Sequence, residues 1–130
     1  VLPGGGMALF QAATIHENLI NKKETQSKID KEVLAGHDLL INACKEPFRQ
    51  ILNNAGLSHH NILSNIQKES SSNPNVGYDV RNKKFGDMFM LGVIDPAKVS
   101  RCALENAVSA ATMLLLADCS LIEVSSNQND

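Results

Sequence analysis

Gly92-Val93-Ile94-Asp95-Pro96-Ala97-Lys98-Val99-Ser100-Arg101-Cys102-Ala103-Leu104-Glu105-Asn106-Ala107-Val108-Ser109-Ala110-Ala111-Thr112-Met113-Leu114-Leu115-Leu116 is the stretch on which the fold turns. Asp95 before Pro96 marks a helix start. A carboxylate can accept bonds from the first free N–H groups, and proline suits a first helical position, whose N–H has no intrahelical partner. Val99, Cys102, Ala103, Ala107, Ala110, Met113, Leu114 and Ala117 then recur at helical spacing. From Ala107 to Leu116 small and apolar residues cover nearly the whole circumference. A helix apolar all round is normally enclosed by its neighbours. The sequence therefore predicts a mainly α-helical domain with this helix at its centre and Asp95 at its functional end.

Composition agrees with one such domain. The chain has 130 residues, of which 43% are hydrophobic, enough to bury a core. A formal net charge of −2 gives no electrostatic footprint for nucleic acid, and no apolar run approaches a membrane span. Cys44, Cys102 and Cys119 are odd in number and lack CxxC spacing. They read as free thiols of a reducing compartment rather than as a disulfide or zinc site.

Outward toward the N-terminus, Val1-Leu2-Pro3-Gly4-Gly5-Gly6 leads straight into Met7–Ile20, a helix with Ala8, Ala12, Ile15 and Leu19 on one side and Leu9, Ala13 and Ile20 beside them. Three glycines at a helix start allow close backbone approach, and the free N–H groups favour an anion. A linker is the plainer reading. It is not a Walker A loop, because no Gly-Lys-Ser/Thr follows. After a polar loop at Lys22–Gln26, Ser27 is expected to cap a second helix with the stripe Ile29, Val33, Leu34, His37, Leu40, Ile41 and Cys44. His37 is expected to be a hydrogen-bonded core histidine. Glu46-Pro47 should restart the chain as a short helix through Phe48, Ile51, Leu52 and Ala55, ended by Gly56. Ser58 then caps a helix through Ile62, Leu63 and Ile66. His59 and His60, adjacent in its first turn, point in different directions and make a poor metal pair.

Glu69–Asn75 is a loop by composition. Val76–Val80 and Lys84-Phe85-Gly86 flank the polar turn Arg81-Asn82-Lys83 as a small hairpin, and Asp87–Leu91 is expected to form one helical turn. Beyond the long helix, Cys119–Val124 reads as a short strand and Ser125–Asp130 as a frayed polar tail.

Singly these signals are weak, but their ordered set resembles one family. Pro3-Gly4-Gly5-Gly6-Met7-Ala8-Leu9, Glu46-Pro47-Phe48-Arg49-Gln50-Ile51, Asn54-Ala55-Gly56, Gly77-Tyr78-Asp79, Gly92-Val93-Ile94-Asp95-Pro96-Ala97-Lys98-Val99 and Arg101-Cys102-Ala103-Leu104-Glu105-Asn106-Ala107 look like the C-terminal part of a group I chaperonin, the GroEL type. The resemblance implies the C-terminal half of a multi-helical equatorial domain over residues 1–124, with a small β-hairpin, a short C-terminal strand and a disordered tail at 125–130. It implies a piece of an ATP-hydrolysing chaperonin that assists protein folding in seven-membered rings of one or several isoforms. Co-chaperonin and unfolded polypeptides would be held by domains outside this chain.

The resemblance also places the nucleotide. Gly5 matches the middle glycine that lies against it, and Asp95 matches the aspartate that hydrogen-bonds the ribose. Asp79, Val80 and Arg81 fall where the family has residues beside the adenine, although Arg81 replaces a small residue. The cofactors implied are ATP and magnesium. The magnesium ligands, the Asp-Gly-Thr-Thr phosphate loop and the catalytic aspartate would lie upstream of Val1, so this polypeptide by itself is expected to be inactive. Asn73-Pro74, Arg101–Glu105 and Asp118-Cys119 with Ile122-Glu123-Val124 look closest to plastid and cyanobacterial members. The plastid stroma is therefore the expected compartment, with the mitochondrial matrix second. The rival reading is a non-enzymatic helical interaction module in which Gly4–Gly6 is a linker and Asp95 only a cap.

Overall fold

The structure, a computed structural model, describes residues 1–21, 30–70 and 73–119. In chain order its elements are β1 (Leu2–Pro3), α1 (Met7–Ile20), α2 (Lys31–Asn54), α3 (His59–Glu69), β2 (Val76–Asp79), β3 (Lys84–Asp87), β4 (Ile94–Asp95) and α4 (Ala97–Leu115). The mainly helical class and the hairpin are as the sequence predicts. No helix among the described residues is long and apolar enough to cross a membrane.

The core lies where α1, the second half of α2, α3 and the hairpin meet. Met7, Phe10, Phe48, Leu52, Ile62, Ile66, Tyr78 and Met88 form one buried cluster, with the rings of Phe10 and Phe48 5.7 Å apart. Each such side chain contributes on the order of 1.5–3 kcal/mol by leaving water.

The buried stripe of α1 is Met7, Phe10, Ala13 and Ile20, while Ala12, Ile15 and Leu19 are exposed. The expected inner face is therefore rotated. The reason is a polar member of the seam. Glu17, half-buried, accepts a 2.6 Å bond from the ammonium of Lys45, which is buried within the α2 stripe Ile41, Lys45, Phe48 and Leu52. A hydrophobicity pattern skips both residues, so it misplaces the seam they share.

Two helices were expected across Glu46-Pro47, and the structure has one. α2 runs through Pro47. Proline inside a helix removes one N–H and crowds the preceding turn, at a cost of about 3 kcal/mol. Phe48 and Leu52, just past it, are anchored in the core and hold the helix together there. α2 ends as predicted at Gly56, whose φ is +68°. Leu57 N–H reaches back to the Leu52 carbonyl and Gly56 N–H to that of Asn53. The expected Ser27 cap lies outside the described residues. Ser58 does precede α3 but makes no side-chain cap bond.

In the hairpin, β2 pairs antiparallel with β3, Val76 opposite Asp87 and Tyr78 opposite Phe85. Next to it Leu91 N–H bonds the Asp87 carbonyl, the single helical turn expected there. A second, unforeseen ladder joins β1 to β4, Leu2 opposite Asp95 and Pro3 opposite Ile94. It draws the start of the chain onto the entry to α4.

That last helix departs most from expectation. It is 19 residues long and none of them is buried; Leu114 and Leu115 are 77% and 78% exposed. α4 is not enclosed by the elements described here. Its apolar circumference faces an open groove shared with α2, lined by Leu39, Leu40, Ala43, Leu104, Val108 and Leu115 among others. The expected strand at Cys119–Val124 lies outside the described residues apart from Cys119, which is exposed and in no strand.

Candidate functional site

Three turns converge on one cavity. The first is Gly4–Gly6, which is a folded turn: Met7 N–H bonds the Gly4 carbonyl at 3.2 Å, and Gly4 N–H bonds the Val93 carbonyl at 2.9 Å. Gly5 and Gly6 have φ of +64° and +80°, a region costly for any residue with a Cβ. The second turn, Met88–Val93, closes on itself through Val93 N–H to the Met88 carbonyl at 2.9 Å. It is tied to the hairpin by Met88 N–H to the Asn75 carbonyl at 3.0 Å. The third is the hairpin tip at Arg81–Lys83. A continuous run of backbone hydrogen bonds thus links the hairpin, the Met88–Val93 turn and the glycine turn.

Between them lies a cavity of about 370 Å³. Ile51, Tyr78, Val80, Met88, Leu91 and Val93 give it apolar walls, and Gly5, Asp79, Arg81 and Asn82 give it its polar rim. Gly5 is open on this side: an added Cβ would approach nothing nearer than the Met88 and Val93 side chains at 3.9 Å. Its N–H has no partner among the described residues. An unpaired amide just before a helix is a ready anion contact, and flat apolar walls suit a ring.

Asp79 has a structural task. It is buried, and its Oδ1 accepts N–H bonds from Arg81 at 2.9 Å and Asn82 at 3.1 Å, while its Oδ2 accepts from the Asn82 side-chain amide at 2.6 Å. The Asn82 amide, above all, with the turn N–H groups holds this carboxyl below the ordinary aspartate range. Both oxygens are engaged in fixing the tip, which leaves the exposed Arg81 as the charged side chain without a partner at the cavity rim.

Of the predicted residues, Gly5, Asp79, Val80 and Arg81 are brought together around the cavity. Asp95 is not in its wall. It sits two residues beyond Val93, half-buried in β4 opposite Leu2. Nor does it cap α4, as the sequence suggested: Pro96 holds the N-cap position with extended backbone (φ −67°, ψ 128°), and no side-chain cap bond is made. Pro96 supplies its carbonyl instead, to Val99 N–H at 3.0 Å. The shift is one residue, because proline's fixed φ serves an N-cap as well as a first helical position.

Asn82 and Met88 were missed by the sequence reading. Asn82 had a usable signal, Asp-x-x-Asn at a hairpin tip, where side-chain acceptors bond the backbone ahead of them. Met88 had none. His37, expected to be hydrogen-bonded, has a buried Nδ1 with no partner. The three thiols are free; burial pushes that of Cys44 above its ordinary value. No cluster of three metal-ligating side chains occurs among the described residues.

Residues 1–124 match the profile of the TCP-1/cpn60 chaperonin family. The chain is 35% identical over 127 residues to Chaperonin GroEL 3 of Psychromonas ingrahamii, covering 98% of this chain and 22% of that protein. It is 39% identical over 119 residues to Chaperonin GroEL 1 of Polaromonas naphthalenivorans, covering 92% and 20%. It is 33% identical over 132 residues to Chaperonin GroEL of Mycoplasma pneumoniae, covering 98% and 24%. The chain therefore spans between a fifth and a quarter of the length of the curated relatives it matches.

Proposed function

The chain belongs to the TCP-1/cpn60 chaperonin family, and we propose that residues 1–124 form the C-terminal portion of the equatorial, nucleotide-binding and ring-forming domain of an ATP-dependent chaperonin that assists protein folding. The observation that supports this best is the cavity. Residues far apart in the sequence, the Gly5 turn and the Asp79–Asn82 tip, close on one pocket with apolar walls and uncrowded Gly5 backbone.

The residues fit a nucleotide in part. Val80, Tyr78 and Ile51 offer a wall for adenine, with Arg81 at its edge, and the Gly5 N–H offers one contact toward phosphate. Asp95 would reach the ribose from β4. Asp79 acts by holding the tip that presents Val80 and Arg81, because its carboxylate is already committed. ATP, when bound, supplies the phosphoryl group whose transfer drives the cycle; magnesium would be held by residues outside this chain. What these residues do is bind and orient.

The uncovered apolar face of α4 supports the same reading. Chain beyond these elements, supplied by the rest of the domain, would enclose it. Ring partners, in homo- or mixed-isoform seven-membered rings, and co-chaperonin and unfolded polypeptides belong to the whole protein. We assign the plastid stroma as compartment, with the mitochondrial matrix as the alternative, on the sequence likeness alone. The rival reading, a module without nucleotide, took Gly4–Gly6 for a linker and Asp95 for a cap. The bond from Gly4 to Val93 and the uncapped start of α4 speak against those two assignments and favour the first reading.

A chimera tests the proposal: residues 1–124 replace the matching segment of the Polaromonas naphthalenivorans relative, and assembly and ATP binding are measured. Ring assembly with ATP binding weakened by Asp95→Ala and by Gly5→Val is expected. A chimera that assembles and binds ATP with no response to either change would overturn the site.

A further inference from the structure

The tip of the β2–β3 hairpin carries the only cation among the described residues that line the cavity, Arg81. Its backbone is held in place. Arg81 N–H and Asn82 N–H donate to Asp79 Oδ1 at 2.9 and 3.1 Å, and the Asn82 side-chain amide donates to Oδ2 at 2.6 Å. Below the tip, the rings of Tyr78 and Phe85 stand 4.9 Å apart across the paired strands. Val80 packs against the buried core cluster and forms part of the apolar wall. Arg81, the next residue, is exposed, so it stands at the margin of that wall.

Hydrogen-bonding capacity at this margin is lopsided. The Asp79 carboxylate, the one anion in the lining, already accepts the three bonds that fix the tip. Arg81 adds a rigid planar fork of N–H donors and no acceptor. No carboxylate among the described residues pairs with it. A base edge with two adjacent acceptors matches such a fork, whereas an edge with one acceptor and one amino donor sets donor against donor. Guanine presents the first, O6 and N7; adenine presents the second, N7 and N6–H2.

We propose that Arg81 sets the base preference of this cavity, its guanidinium donating to O6 and N7 of guanine, so that guanine nucleotides compete with adenine nucleotides for the site. The inference rests on the nucleotide reading given above. It deepens that reading by assigning Arg81 to the edge of the base, where it discriminates, and not to the face of the ring or to a phosphate, where it would not.

The chimera described above and the unaltered Polaromonas naphthalenivorans relative are titrated by calorimetry with ADP and with GDP, which avoid turnover. The ratio of GDP to ADP affinity should be at least about tenfold higher in the chimera than in the relative. Arg81→Ala should return the ratio to the relative's value. Arg81→Lys, a point charge in place of a fork, should keep no more than part of the difference. 7-Deaza-GDP, in which C–H replaces N7, should bind more weakly than GDP to the chimera but not to its Arg81→Ala variant. Should the larger exchange fail to assemble, grafting residues 79–83 alone into the relative repeats the comparison. An equal ratio in chimera and relative would overturn the proposal. So would an Arg81→Ala variant that weakens ADP and GDP alike, which would move the guanidinium to the ring face or a phosphate. An assembled chimera that binds neither nucleotide would instead overturn the nucleotide reading, and this proposal with it.

Discussion

A Cβ added to Gly6 would stand 2.8 Å from the backbone nitrogen of Phe48 and 3.1 Å from its Cα. The first turn of α1 is laid directly on the backbone of α2, at the point where α2 passes through Pro47. The contact is backbone on backbone, so no flexible side chain can move aside. It fixes the angle at which α1 leaves the glycine turn, and with it the position of Gly5 at the cavity.

Gly6→Ala should therefore destabilise the chain by about 2–4 kcal/mol, combining left-handed backbone strain with overlap in a packed region. Gly5→Ala shares the strain but has open space, and should cost only about 1–2 kcal/mol. Urea unfolding of the two variants measures the difference. Equal losses would show that the close approach to Phe48 is not what Gly6 serves.

Hairpin order should fail in acid. The Asp79 carboxyl is held below its ordinary 3.8, chiefly by the Asn82 amide, and that of Asp87 likewise, chiefly by the Asn73 amide. Both folded-state values are depressed, so the stabilisation is complete above the unfolded-state value and is lost as pH falls through the folded one. Amide exchange and the Tyr78 signal should report loosening below the ordinary aspartate range. Asp79→Asn should loosen the tip already at neutral pH and flatten the acid transition. An unchanged acid profile in that variant would assign the transition elsewhere.

Asp95→Ala separates capping from binding. Since no cap bond is made, the substitution should change stability by no more than about 0.5 kcal/mol. A cap would have contributed about 0.5–2 kcal/mol. A loss near 2 kcal/mol in thermal unfolding would mean that the carboxylate caps α4 in solution after all.

On α4, polar substitutions should be nearly free in the chain by itself. Leu114→Lys and Leu115→Lys replace largely exposed side chains and should shift stability by less than about 0.5 kcal/mol while raising solubility. Leu52→Ala, fully buried, should cost about 2–5 kcal/mol. In the chimera the order changes: once the groove is covered, either Lys substitution should impair assembly. Tolerance of both there would show that α4 stays open.

By itself the 130-residue chain should bind ATP poorly and hydrolyse none. One amide, an apolar wall and a ribose contact give a few hydrogen bonds of on the order of 1 kcal/mol each, against an association cost of roughly 4 kcal/mol or more. Calorimetric titration with ATP and magnesium, and a phosphate-release assay, check both halves. Micromolar affinity or turnover would place a complete site within these residues.

Much of this molecule was local, and local features were legible in the sequence. Glycines before Met7, Gly56 after α2, and the polar tip between Val76–Asp79 and Lys84–Asp87 each act through a few neighbouring torsions. The order of the motifs also identified the family, because it records the whole chain at once. Tertiary structure alone decided the rest. The α1–α2 seam is set by Glu17 with Lys45, whose pairing across two helices gives no hydrophobic signal. Helix continuity through Pro47 depends on Phe48 and Leu52 being gripped by distant residues. The β1–β4 ladder, which brings Gly5 beside Val93, joins the first residues of the chain to a segment far along it, just before α4. α4 shows the limit most directly. Its apolar circumference states that it must be covered, yet periodicity carries no information about which chain segment does the covering; only the packing shows that α1, α2, α3 and the hairpin do not.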